Sequence, residues 1–364
     1  MPSKKILFLS PYPENKAPSQ RLKYEQYFTC FEQAGFEVTT KAFVNLKLWS
    51  ILYKPNFIIQ KLYYTLLGYI NRFLILFSIH KYDIVYVHLW VTPIGLPIFE
   101  WMVSKLSKKL IYDIDDMVFL GHSSDANKLW EPLKGKKKMI YLMKKANHVI
   151  TCTPKLDEFV RQYNSNATDI SSTVDTAERY LPILDYKNKS EIILGWSGSH
   201  STSKYLYLLT DVFLELSKKY KFKLIVMGDK DFFIENISVE AYEWSEKIEI
   251  PTIQKFDIGL YPLPNEEWVY GKSGLKAIQY MAIGIPTVAS AIGANFRIIQ
   301  DGENGYLADS QTDWVKKLSA LIESDVQREK IGKAGRKTIE EKYSVEANKQ
   351  KYLSLFNQLL ENKS

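Results

Sequence analysis

The chain has 364 residues, 46% of them hydrophobic and 24% charged, with a net charge of +7. That balance fits folded globular domains and excludes a disordered tail or a fibre, and so modest a positive excess, with no recognition motif, argues against a nucleic-acid binder. Two cysteines, Cys30 and Cys152, are too few for a disulfide framework or a zinc cluster, and the start, MPSKKILFLS, lacks the apolar stretch of a signal peptide, so a cytoplasmic setting is expected.

Short apolar runs predict strands at 5–9, 37–42, 84–88, 110–112 and 149–152, with helical patterns between them, such as 21–34 and 96–106. Between 38 and 82 there is no Asp or Glu, while Lys41, Lys47, Lys54, Lys61, Arg72 and Lys81 stand among many aromatics. Within it, Ile58, Leu62, Leu66, Tyr69, Phe73 and Leu76 recur at helical spacing. Lys61, Asn71 and Arg72 interrupt the apolar run, which argues for an amphipathic helix rather than a membrane span. Two readings stand: a crossover helix packed on a sheet, or a basic, aromatic rim resting on an anionic membrane surface. A second basic cluster, at Lys134, Lys136, Lys137, Lys138, Lys144 and Lys145, leans toward the membrane reading, although a solvated helix face explains it too.

A polar stretch at 182–190 acts as a linker, after which the alternation restarts with strands at 192–196, 223–227, 258–261 and 287–289. Strand–helix–strand alternation implies parallel sheets. The restart implies two Rossmann-like α/β domains, 1–182 and 183–343, whose strand ends face each other across a cleft. A last helix, over 344–364, can cross back to brace the first domain.

The richest chemistry lies after the 258–261 strand. Ser273 and Gly284 bracket a helix over about 274–283 as N-cap and C′ residue. Lys272 precedes the helix, and Lys276 and Gln279 share one of its faces. Exposed N–H groups, a positive dipole end and two ammonium groups together suit a phosphate or diphosphate. After the 192–196 strand, Ser197-Gly198-Ser199 is a small-residue turn that lets backbone approach a ligand. After the 110–112 strand come Asp113, Asp115 and Asp116, carboxylates that repel one another and need a partner or a use. Between the first strand and first helix lie Ser19 and Arg21. Arg21 can grip a phosphate bidentately or pair with Glu25.

The run Gly274-Leu-Lys-Ala-Ile-Gln-Tyr-Met-Ala-Ile-Gly-Ile-Pro-Thr-Val-Ala-Ser290 resembles the donor-binding signature of GT-B glycosyltransferases, specifically the retaining group called family 4. Gly293 and Asp301-Gly-Glu-Asn-Gly-Tyr-Leu307 extend the resemblance, which is strong over about 190–345 and weaker before it. It implies a retaining, nucleotide-sugar-dependent transferase that works without metal or other cofactor, with the donor held mainly by the second domain. The family's paired glutamates are replaced here by Gly271 and Gln279. Gln279 can still hydrogen-bond a ribose, and Glu266 or Glu267 can take over the sugar contact. The family's diphosphate Arg is replaced by Trp196, which leaves that charge to Lys272 and Lys276. The candidate catalytic groups are therefore Asp115, Asp113 and Glu267, with Ser197, Gly198, Ser199, Lys272, Ser273, Lys276 and Gln279 on the donor and Ser19 and Arg21 on the acceptor or on a phosphate of donor or acceptor.

With the 38–82 segment on a membrane, the expected partners are a nucleotide-sugar donor, a glycan or lipid-linked glycan acceptor and an anionic surface at the inner face of the membrane, in surface-polysaccharide synthesis. The alternatives are a nucleotide-sugar epimerase of the same architecture and a non-catalytic protein that binds membranes or polyanions.

Overall fold

The computed structural model describes residues 3–54, 56–115, 136–183, 186 and 191–361. The chain divides into two compact units, Met1–Ser172 with Asn348–Ser364, and Thr173–Ala347.

The first unit contains β1 (Lys4–Ser10), α1 (Pro18–Arg21), α2 (Phe28–Gln33), β2 (Phe36–Ala42), α3 (Leu46–Ile51), α4 (Ile58–Leu76), β3 (Ile84–His88), α5 (Ile98–Leu106), β4 (Leu110–Asp113), α6 (Lys136–Lys145), β5 (His148–Thr151), α7 (Pro154–Arg161) and β6 (Ala167–Asp169). Its six strands pair in parallel in the order β2-β1-β3-β4-β5-β6. β1, β3 and β4 are apolar on both faces, as a parallel sheet covered by helices requires. The order reverses between β1 and β3, which makes their carboxyl ends the topological switch point. The helix expected over 21–34 is broken into α1, a 3-10 turn at Glu25–Tyr27 and α2. At the break the Gln20 amide bonds both backbone groups of Tyr12, and the Glu25 carboxylate accepts from Asn15 N–H.

The second unit contains β7 (Ile192–Ser197), α8 (His200–Ser203), α9 (Thr210–Ser217), β8 (Phe222–Met227), β9 (Val239–Tyr242), α10 (Glu246–Ile253), β10 (Ile258–Tyr261), α11 (Leu275–Ile283), β11 (Thr287–Ser290), α12 (Asn295–Ile298), β12 (Tyr306–Ala308), α13 (Gln311–Glu323) and α14 (Asp325–Lys342). Its sheet is also parallel, ordered β12-β11-β10-β7-β8-β9. Counted within the unit this is the 3-2-1-4-5-6 order of dinucleotide-binding folds, with its switch point between β7 and β10. α15 (Val345–Glu361) belongs to the first unit from Asn348 onward, where Tyr352 and Phe356 pack against Tyr27, Phe31 and Phe36.

The two α/β units with parallel sheets bear out the expected fold class. α4 corrects one expectation. Arg72 is fully buried rather than part of a basic rim, and its guanidinium donates to the carbonyls of Ser10, Lys41 and Val91 at 2.7–2.9 Å. Of the second basic cluster, Lys134 and the Lys136 side chain lie outside the described residues. Lys138 is buried on Thr92, Ile94 and Glu100 instead of lying on a solvated face.

Candidate functional site

At the switch point of the second unit, β7 ends in Trp196-Ser197 and β10 in Tyr261. The Lys276 ammonium, from the first turn of α11, sits 5.4 Å from the Trp196 ring centroid and 5.3 Å from that of Tyr261. Gly198 makes this packing available. A Cβ there would stand 2.3 Å from the Trp196 ring and 3.0 Å from Lys276 Cε. Burial, helped by the charge of Lys272, pushes the Lys276 ammonium down to about 8. Lys272 is itself 5.3 Å from the Trp268 ring centroid. Two ammonium groups therefore converge on ring faces at the carboxyl edge of the sheet. Cation–π contact steadies them without neutralising their charge, and an anion placed between them relieves their repulsion.

The remaining expected donor residues are placed less simply. Ser273 precedes the helix but does not cap it. The N-cap is Gly274, in the left-handed region at φ +74°, with no side-chain capping bond. The Ser197 N–H and hydroxyl both bond the Tyr280 hydroxyl, and the Gly198 N–H bonds Met227 O, so these backbone donors are engaged within the fold. Ser199 is exposed and forms a capping box with Thr202 at the start of α8. Gln279 is buried, and its amide nitrogen donates to the Tyr180 hydroxyl at 2.8 Å and to Glu249 Oε1 at 3.3 Å. Glu249, itself buried on α10, thus brings a carboxylate to the position where the family resemblance leads one to expect a glutamate. Glu267 is exposed at the start of a 3-10 turn over Glu267–Gly271, and Glu266 accepts from the Trp268 indole.

In the first unit, Asp113 belongs to a buried cluster rather than an open edge. Lys23 Nζ lies 2.7 Å from its Oδ1, while Tyr86 donates to its Oδ2 at 2.7 Å and His88 Nδ1 lies 3.1 Å away. Burial alone would raise this carboxyl, but Lys23 and His88 outweigh it and hold it below the usual carboxylate range. The catalytic role expected for Asp113 therefore gives way to a structural one. Asp115 is half-buried at the end of the strand, close enough for its charge to act on Tyr12 and Lys23, and Asp116 lies outside the described residues. Burial, then Tyr53 and Asp115, raise the Tyr12 phenol to about 12. Arg21 is 2% exposed and so does not present its guanidinium to solvent, whereas Ser19 beside it is half-buried. Trp196 stood out in the sequence only as the residue in place of the family's arginine, and Tyr261, Tyr180 and Glu249 were not singled out there. Only the aromatic residues closing β7 and β10 offered a signal there.

Two α/β units with parallel sheets are the architecture of the GT-B fold, and the solved structures described below share it. Residues 191–324 match the family described as glycosyl transferases group 1. Poly(ribitol-phosphate) alpha-N-acetylglucosaminyltransferase of Staphylococcus aureus is 36% identical over 91 residues, 24% of this chain and 18% of that protein. The match thus spans less than a fifth of that relative's length. Sucrose-phosphate synthase from Thermosynechococcus elongatus superposes with a TM-score of 0.72 at 15% identity, over 99% of this chain and 100% of that one. Anabaena HepE, solved in complex with UDP-glucose, gives a TM-score of 0.65 at 16% identity, over 97% of this chain and 99% of that one.

Proposed function

We propose that the protein is a retaining glycosyltransferase that moves a sugar from a nucleoside diphosphate to a membrane-associated, lipid-linked saccharide in surface-polysaccharide synthesis. It does so from the cytoplasmic face of the membrane and without a metal ion. The observation that carries this reading is Lys276. Its ammonium is held over Trp196 and Tyr261 at the switch point, and the charge acting on it is that of another lysine. A diphosphate leaving the anomeric carbon needs neutralisation at this edge of the sheet, and Lys272 and Lys276 supply it where many enzymes use a divalent cation. Asp115 and Glu267 are the carboxylates left to act near the transferred sugar or the acceptor hydroxyl, since Asp113 is consumed by its ion pairs. Among the described residues no helix is long and apolar enough to cross a membrane, so the membrane association proposed is peripheral.

The test is a donor-hydrolysis screen over a panel of nucleotide sugars, led by UDP-sugars because HepE was solved with one. One nucleoside diphosphate should raise the melting temperature, and its sugar should be released with retained anomeric configuration in the presence of EDTA. Failure of every nucleotide to bind would sink the enzymatic reading. Turnover confined to inversion at a sugar carbon, with no acceptor, would replace it with the epimerase.

A further inference from the structure

α4 presents the wrong face to solvent for a crossover helix. Its buried positions are Gly68, Arg72 and Leu76, whereas Leu62, Leu66, Ile70, Phe73 and Phe77, spaced as one helical stripe, are exposed, Leu62 at 66% and Phe77 at 67%. An apolar stripe left in water on this scale marks a surface that something covers. Beside it lies a pocket of about 620 Å³ lined by Asn45, Leu46, Lys47, Tyr63, Tyr64 and Leu67, between α3 and α4. The walls are predominantly apolar, with one ammonium group among them. The pocket is firmly built: Asn45 caps α3 by accepting from Leu48 N–H at 2.8 Å, and Tyr64 packs on the small core of Phe43, Val44 and Leu48. It is also tied to the edge of the sheet where α/β folds bind ligands. Phe43 and Val44 donate to the carbonyls of Ser10 and Pro11, at the carboxyl end of β1.

We propose that this pocket binds the hydrocarbon chain of a phosphate-bearing membrane lipid, with Lys47 meeting the phosphate and the exposed face of α4 lying along the bilayer surface. The inference rests on the lipid-linked acceptor reading and names the site that would hold that acceptor's anchor. Charge selects the occupant. The segment from Val38 to Tyr82 contains no carboxylate and carries Lys47, Lys54 and Lys61, which favours an anionic lipid interface over a protein surface of mixed charge. An open, mostly apolar pocket of this size, with one exposed lysine beside it, suits a chain bearing one anionic head.

The test uses the full chain with farnesyl phosphate, farnesol and inorganic phosphate as titrants, and with phosphatidylglycerol vesicles in flotation. Farnesyl phosphate is expected to bind best, farnesol more weakly and inorganic phosphate not at all. The exposed-site variants Leu46→Asp and Tyr63→Asp should weaken farnesyl phosphate by about tenfold or more. Lys47→Glu should abolish the preference for farnesyl phosphate over farnesol, and Leu66→Asp should take the protein off the vesicles. In all four variants the melting shift with nucleoside diphosphate should remain, so that a failed donor screen and a failed lipid site are told apart. Farnesyl phosphate binding that is absent, or unchanged by Leu46→Asp and Tyr63→Asp, overturns the proposal. Self-association that Leu66→Asp abolishes, in a protein that never floats with vesicles, overturns it in favour of a second copy of the chain.

Discussion

Lys276 ties stability and ligand binding to the same proton. Burial and Lys272 hold its ammonium down at about 8, below its ordinary value, so the folded state disfavours the charged form. Below that pH the charge costs stability, and the cost fades as pH rises from about 8 toward the unfolded value. Diphosphate affinity runs the other way, because it needs the ammonium. Affinity for the nucleoside diphosphate should therefore fall as pH rises through about 8, and Lys276→Met should lose both the affinity and that step. The same variant should melt no lower than the parent at neutral pH. Calorimetric titration across pH, alongside thermal melts, checks both halves, and a preserved affinity in Lys276→Met would mean the diphosphate lies elsewhere. A second residue-scale prediction concerns Gln279. Restoring a glutamate there would set two carboxylates side by side in a buried site, because Gln279 Nε2 is 3.3 Å from Glu249 Oε1. Gln279→Glu should cost about 1–3 kcal/mol at neutral pH, with the deficit fading as pH falls toward about 4 and the new carboxyl takes up a proton. Urea unfolding at several pH values measures it. Lys272 and Lys276 were legible because charge, spacing and helix punctuation sit within a few residues. The ring faces that hold Lys276 and the carboxylate beside Gln279 were not, because they come from strands and a helix far away in the chain. Asp113 misled for a related reason: an acidic run at a strand end looks the same whether a lysine from another element, here Lys23, is buried against it or not.

At the scale of elements, α4 shows how far periodicity reaches. Helical spacing marked the apolar stripe, but it could not show that the stripe faces water. Besides the packing of Tyr64, Tyr69 and Leu76 on buried residues, the helix is held by Arg72, which reaches three carbonyls at the ends of β1 and β2 and in the segment after β3. A buried arginine whose hydrogen bonds run to backbone carbonyls leaves no acidic partner in the sequence to betray it. Arg72→Met should destabilise the first unit by at least about 3 kcal/mol, since three buried acceptors lose a charged donor. Denaturant unfolding reads this directly, and a near-neutral result would show that water replaces the guanidinium. In the second unit α11 is positioned by α14. A Cβ on Gly332 would stand 2.0 Å from the carbonyl oxygen of Gly284, the residue that ends α11, and the Tyr186 hydroxyl bonds that oxygen at 2.8 Å. Gly332→Ala must push the two helices apart. It should weaken nucleoside diphosphate binding as well as stability, although residue 332 touches no candidate donor group.

Across the whole molecule, the alternation of strands and helices and the restart after the linker made the two-sheet architecture legible, because parallel sheets leave a strong apolar signal in every buried strand. The exact strand order was not, since short edge strands such as β6, β9 and β12 carry little pattern of their own. The chain also passes twice between the units, at Ser172–Thr173 and at Ala347–Asn348, so the last helix contributes its apolar face to the core of the first. Tyr352 is fully buried there, 4.8 Å from Tyr27 and 5.7 Å from Phe31 between ring centroids. The cationic turn of Lys272 and Lys276 belongs to the second unit alone. The two units therefore respond to different perturbations. Tyr352→Ala removes a large ring from a close-packed site and should cost the first unit about 3–5 kcal/mol, whereas a nucleoside diphosphate stabilises the second by mass action. Scanning calorimetry should then resolve two transitions, one lowered by Tyr352→Ala and insensitive to nucleotide, the other raised by nucleotide and untouched by the substitution. If both perturbations instead move one shared transition, the units unfold as a single cooperative body and α15 couples the donor site to the fold of the opposite unit.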